Sequence, residues 1–204
     1  MPLPLEQAEA KAKQIVACLA AACDDILVAG SIRRRKAEVK DIEIVARSRF
    51  LQRDLFGSPN WDAGTELGLL IDDLVRRKAL IWDEQVPRNG QRYKRLIVVS
   101  VQTPLDLFIT DEHNFGNMVA IRTGDADFSQ QLVTPLTMRG LMPAGHKQHE
   151  GYLWKHANWE RVSCPTEAAF FAALGLRERD IPAPEDRTAE VVASLREKIK
   201  RGAR

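Results

Sequence analysis

The chain lacks a cysteine framework. Three of its 204 residues are cysteine, Cys18, Cys23 and Cys164, and none stands in a Cys-x-x-Cys spacing. An odd count without paired spacing points to free thiols in a reducing compartment and speaks against both a disulfide scaffold and a zinc site. The four histidines, His113, His146, His149 and His156, scatter through loop-like sequence without metal-ligand spacing and are expected at the surface. No apolar run is long enough to cross a bilayer. The N-terminus, Met1-Pro-Leu-Pro-Leu-Glu6, has no basic segment followed by an apolar core, so no signal peptide is read there. These absences lead to the expectation of a cytoplasmic protein with no membrane partner. Internal repeats and low-complexity segments are also missing, which excludes a solenoid.

Charge of one sign is not in excess. Thirty basic residues face 28 acidic ones, for a formal net charge of +2. The positive charge is clustered, however, at Arg33–Lys36, Arg76–Lys78, Arg92–Arg95 and Lys198–Arg204. Basic clusters in a near-neutral chain suit a polyanionic partner. Hydrophobic residues make up 45% of the sequence, enough for a packed core. The length allows one domain or two small ones.

Chemistry concentrates in residues 26–46. Ile26-Leu27-Val28 reads as a buried strand. Gly30-Ser31 follows as a turn, with Ser31 placed to cap a short helix. Free N–H groups at a helix start suit phosphate, and Gly30 allows close approach to the backbone. Arg33, Arg34 and Arg35 add charge, and arginine can grip a phosphate with two hydrogen bonds. Val39 to Ala46 reads as a second strand carrying Asp41 and Glu43, two positions apart and therefore on one face. Like charges that close repel, and a divalent cation between them relieves the repulsion.

The order Gly30-Ser31-x-Arg33-Arg34 followed by Asp41-x-Glu43 resembles the signature of the polymerase-β nucleotidyltransferase superfamily, most closely the family X DNA polymerases. Asp106, alone in the apolar run Leu105-Asp-Leu-Phe-Ile109, resembles the third carboxylate of that family's triad. Arg122-Thr123-Gly124, with Phe128 four residues on, resembles the family's thumb motif; an aromatic pair before Thr-Gly is replaced here by Ile121-Arg122. The stretch from Pro165 through Leu174-Gly175 to Arg187 resembles the end of the thumb.

Elsewhere, helical spacing of apolar residues predicts helices over 5–22 and 65–77, the latter with Asp72-Asp73 on a wet face. Strands are expected over 79–86 and 93–101, joined around Pro87-Arg-Asn-Gly90. Short helices are expected over 114–124, 127–139 with Pro135 as a kink, 165–175, and 188–200. Residues 149–162 read as a hairpin about Ala157-Asn158. Its Tyr152, Trp154 and Trp159 are expected to form a small core, with stacking on bases as the alternative.

The reading as a whole is an α+β fold. The resemblance implies a palm with a mixed or antiparallel sheet and flanking helices over 1–111, and a small α/β thumb over 112–204. It covers most of residues 26–187. Nothing before residue 26 is long enough for the lyase domain and fingers of larger members, and no helix-hairpin-helix is seen. The plan is similar to the smallest viral members, which would place the protein in a host cell. The implied activity is nucleotidyl transfer on a DNA primer or gapped duplex by a monomer, with two Mg²⁺ ions, or Mn²⁺ in their place, on Asp41, Glu43 and Asp106. Gly30, Ser31, Arg34, Lys40, Arg122, Thr123, Gly124 and Phe128 would bind the nucleoside triphosphate. Three alternatives stand beside it: a superfamily enzyme with an RNA, small-molecule or protein acceptor, or one that adds nucleotides without a template; a non-catalytic nucleic-acid-binding module; and an α+β scaffold for protein partners.

Overall fold

Ile42-Glu-Ile-Val-Ala-Arg-Ser48 alternates in a way that fits a strand with one apolar and one mixed face. In the computed structural model, which describes residues 2–202, it lies next to the middle of a five-stranded sheet. The chain divides into two compact units, Met1–Asp111 and Glu112–Arg204.

The first unit runs β1 (Leu3–Pro4), α1 (Leu5–Leu19), a single 3₁₀ turn, β2 (Cys23–Val28) and α2 (Gly30–Arg33). It continues with β3 (Glu38–Val39), β4 (Ile42–Ser48), α3 (Glu66–Arg76), β5 (Leu80–Trp82), β6 (Tyr93–Val98) and β7 (Thr103–Thr110). The sheet order is β2-β4-β7-β6-β5, with β4 and β7 parallel and the other pairs antiparallel. Ile42, Ile44, Leu105, Leu107 and Leu96 share one face, packed with Ala8, Ala12 and Leu19 of α1 and Leu67 and Ile71 of α3. Thr65 starts α3 by accepting a hydrogen bond from the Gly68 N–H at 3.0 Å. The other sheet face carries Glu43, Asp106, Arg95 and Tyr93, so the unit is apolar on the helix side and charged on the open side.

Three expectations change here. The run from Val39 to Ala46 is not one strand: it bends at Lys40-Asp41. Val39 and Ile42 are both fully buried in the same core. Residues three apart on a straight strand face opposite ways, so the chain must turn to bury both. Ile26-Leu27-Val28 belongs to an edge strand and is half-buried, because β2 has a neighbour on one side alone. The connection between β5 and β6 spans residues 83–92 rather than a tight turn, since Asp83 accepts hydrogen bonds from the N–H groups of Gln85 and Val86 and turns the chain outward.

The second unit contains α4 (Phe115–Thr123), α5 (Ala126–Val133), β8 (His146–His149), β9 (Tyr152–Lys155), β10 (Glu160–Val162), α6 (Glu167–Ala173) and α7 (Ala189–Gly202). Its core joins Phe128, Leu132, Leu153, Phe170, Phe171 and Leu195. Pro135 does not kink a long helix. The helix stops at Val133, as the residue before a proline disfavours helical backbone, and Thr134 is extended. His146 and His149 lie on strand β8, not in loops. Buried Arg187 donates to Glu167 Oε1 at 2.5 Å and ties the chain before α7 to α6.

Candidate active site

The parallel register of β4 and β7 places Glu43 beside Asp106, and the antiparallel register of β6 places Arg95 beside Asp106 on its other flank. Three charged side chains thus form one row across the open face of the sheet. Asp41 precedes β4 in the bend. Burial raises its proton affinity, and the charge of Asp106 raises it further, while Arg95, Arg34 and Lys40 pull it down. The charge of Asp106 thus reaches Asp41.

Asp106 is not a lone carboxylate. Arg95 donates from Nη1 to both of its oxygens, at 2.9 and 2.7 Å, and the Tyr93 hydroxyl donates to Oδ1 at 2.7 Å. Arg95 Nε donates to Asp83 Oδ2 at 2.9 Å, so one guanidinium joins two buried carboxylates. Burial works against the charged guanidinium, yet its hydrogen bonds to Asp83 and Asp106 outweigh it and leave Arg95 a stronger base than usual. Burial, then the bond to Asp106, pushes the Tyr93 hydroxyl upward. Tyr93 also stacks on Phe108 with ring centres 4.9 Å apart. Tyr93, Arg95 and Asp83 were not singled out from the sequence. The signal is the Tyr-x-Arg alternation at 93–95, which becomes readable only with the register against Asp106.

The Gly30-Ser31 turn is seated directly on β4. The Ala29 N–H donates to the Glu43 carbonyl at 2.8 Å. Gly30 has φ +60°, and a Cβ there would stand 1.8 Å from Glu43 Oε2. The left-handed backbone favours glycine here, and a side chain would push the flexible end of Glu43 out of its place. Ser31 is not a cap. It lies inside α2, whose four residues start after Ala29. Its Oγ is shielded from solvent and has no hydrogen-bond partner among the described residues. A helix this short has almost no macrodipole, so an anion at this turn would rely on the serine hydroxyl and the arginines. Lys40 is exposed.

Among the described residues no three His, Cys, Asp or Glu side chains converge as a ready-made metal cage. The donor chemistry nonetheless fits a hard cation: carboxylates near enough for Asp106 to raise Asp41's proton affinity, with Glu43 in register beside Asp106. Arg95 fills the counter-charge position at Asp106.

In the second unit, Arg122 and Thr123 close α4. The Thr123 hydroxyl is buried and donates to the Val119 carbonyl at 2.7 Å. Gly124 is extended, not left-handed, and is a glycine because a Cβ would meet the Phe128 ring at 2.4 Å. Phe128 is fully buried in the core of this unit. This corrects the expectation that its ring contacts a nucleotide: packing under Gly124 leaves it no open face.

The fold is similar to that of polymerase beta. Two solved structures of Leishmania infantum polymerase beta carry the likeness. The ternary P/T complex superposes with a TM-score of 0.65 at 17% identity, covering 92% of this chain and 77% of that one. The ternary gap complex gives 0.68 at 16% identity, covering 92% and 71%. No protein-family model matches the chain, and no curated protein matches it by sequence. No helix among the described residues is long and apolar enough to cross a membrane.

Proposed function

We propose that the chain is a DNA-directed nucleotidyltransferase that fills short gaps in duplex DNA. The observation that carries this reading is the transverse row of Glu43 and Asp106 on parallel strands, with Asp41 in the adjoining bend and the Gly30-Ser31 turn packed on Glu43. The fold likeness to a polymerase solved in P/T and gap complexes supports DNA as the acceptor, as do the basic clusters. The two regions would act as palm and thumb.

In this reading Asp41, Glu43 and Asp106 hold two Mg²⁺ ions, for which Mn²⁺ can substitute. Bound there, the ions would supply positive charge that favours an ionised primer hydroxyl and a departing pyrophosphate. The protein's own contribution is positional and electrostatic. The unpartnered Ser31 hydroxyl donates to a phosphate oxygen, and Arg34 adds a cation near Asp41. Arg95 and Tyr93 fix the orientation of Asp106. The resemblance at Arg122-Thr123-Gly124 adds these residues as candidate nucleotide-binding groups.

One observation favours a second reading. Arg95 already neutralises Asp106, as it would in a non-catalytic nucleic-acid-binding module. Labelled-primer extension separates the two. The purified chain is given each dNTP and NTP, on single-stranded and gapped duplex DNA, with Mg²⁺ or Mn²⁺. Incorporation into the gap supports the enzyme; binding to DNA with no incorporation under any condition supports the module.

A further inference from the structure

The second unit has an aromatic surface that the palm chemistry does not use. Sheet order is β10-β9-β8. Lys147 pairs with Trp154, and Trp154 with Arg161, so a lysine, a tryptophan and an arginine form one row across three strands. Alternation sends Leu153 and Val162 to the opposite face, into the core of the unit. The outward face is therefore set by the pleat, and it alternates cation and aromatic.

Trp159 extends this face from the β9–β10 turn. It is 54% exposed, and its backbone has φ +51°. A bulky residue in the left-handed region is an outlier that carries a conformational cost. The turn is pinned by the Asn158 side chain, which accepts from the Glu160 N–H and donates to Glu160 Oε2. Burial in a core would offset such strain, but Trp159 has no such burial. This contradicts a small-core role for Trp159, although Tyr152 is buried. Trp154 and Trp159 meet edge to face at 6.1 Å, and His149 meets Trp159 edge to face at 6.0 Å. The Lys147 ammonium lies 3.2 Å from the centre of the Trp159 ring, and the Arg161 guanidinium 5.4 Å from that of Trp154. The acidic groups nearby are engaged: Glu160 pairs with Lys155 at 3.1 Å, and Glu150 stands 3.8 Å from His149.

We propose that the outward face of this three-stranded sheet is a stacking platform for single-stranded nucleic acid. An unpaired base would stack on the Trp159 indole, displacing the Lys147 ammonium from the ring, and Lys147 and Arg161 would take the flanking phosphates. Aromatic faces interleaved with cations are the general means of binding single strands without reading sequence. A duplex keeps its bases stacked on each other and offers this face only phosphates. The site lies wholly within the second unit and does not depend on the palm carboxylates.

The test titrates the full chain with fluorescein-labelled oligothymidylate, oligouridylate and a blunt duplex. No metal or nucleoside triphosphate is added, so the readout is independent of nucleotidyl transfer. Anisotropy gives affinity, and tryptophan quenching reports stacking. The proposal expects quenching by single strands and a loss of affinity in Trp159→Ala of roughly 5- to 150-fold, the range for one stacked base. Trp159→Phe should retain most of the affinity. Lys147→Ala with Arg161→Ala should flatten the salt dependence by about 1.4 units of slope, at ~0.7 per phosphate contact. The oligothymidylate and oligouridylate arms decide whether DNA or RNA is preferred. Parent-like affinity for single strands in both Trp159→Ala and the Lys147/Arg161 double variant would overturn the proposal. So would tighter binding of the blunt duplex with no quenching. If Trp159→Ala fails to fold, the double variant decides alone, parent-like affinity and salt slope overturning the proposal.

Discussion

One nitrogen of Arg95 bridges the two carboxylate oxygens of Asp106, at 2.9 and 2.7 Å. The pair sits in register on neighbouring strands, with the rest of the guanidinium held by Asp83. Arg95 is thus the counter-ion around which two buried carboxylates are assembled. In the proposed enzyme it shares Asp106 with the metal.

Arg95→Met tests that role. The substitution leaves Asp83 and Asp106 buried without their cation. Breaking a buried ion pair by removing one partner costs about 3–5 kcal/mol. Urea unfolding at neutral pH should show a loss of this order, and Mg²⁺ should restore part of it if Asp106 is a metal ligand. An unchanged midpoint would mean that the pair adds nothing to stability. A full loss with no Mg²⁺ effect would separate the ion pair from metal binding.

Asp41 makes a pH prediction. Its proton affinity in the folded chain is raised by burial and by Asp106, and the compensating cations are Arg95, Arg34 and Lys40. An acid whose folded pKa lies above the unfolded value folds best while protonated. Its contribution is present below the ordinary value of 3.8 and is lost as pH rises through the raised value. Asp41→Asn removes the penalty. Without divalent ions the variant should melt above the parent at neutral pH, and the gap should close as pH falls toward 3.8. A gap of constant size across that range would rule out the electrostatic cause.

Gly30→Ala separates two roles of one glycine. The left-handed backbone costs an L-residue about 1–2 kcal/mol. The new methyl also meets Glu43 Oε2, the far end of a flexible side chain, which can swing away. Thermal unfolding should therefore register a modest loss. Gap filling should fall much more steeply, because Glu43 loses its position. Activity that declines only in step with stability would show that the placement of Glu43 is unimportant.

How much of this the sequence disclosed follows from the range of the forces involved. The β4 strand was readable because Ile42, Ile44 and Ala46 alternate with Glu43 and Arg47, a pattern local in the chain. Asp106 stood out as a charge among apolar neighbours. Its bond to Arg95 was hidden: it depends on the register of β6 against β7, and the strand expected over 93–101 overran the turn at residues 99–102 from which that register is counted. The bend at Lys40-Asp41 was missed because it depends on Val39 and Ile42 sharing one core. Phe128 was misjudged because a Thr-Gly-x-x-x-Phe pattern says nothing about where the ring packs. The exposure of Trp159 could not be foreseen either, since composition alone does not separate a hairpin core from an outward face.

The central claim is that Asp41, Glu43 and Asp106 form a catalytic carboxylate set for nucleotidyl transfer. Single-nucleotide incorporation into a gapped duplex with Mg²⁺ tests it most directly, comparing the parent with Asp41→Asn and Asp106→Asn. The account predicts incorporation by the parent and none above background by either variant, with cooperative melting retained in both. Incorporation by a pure Asp41→Asn preparation at the parent's rate would contradict it.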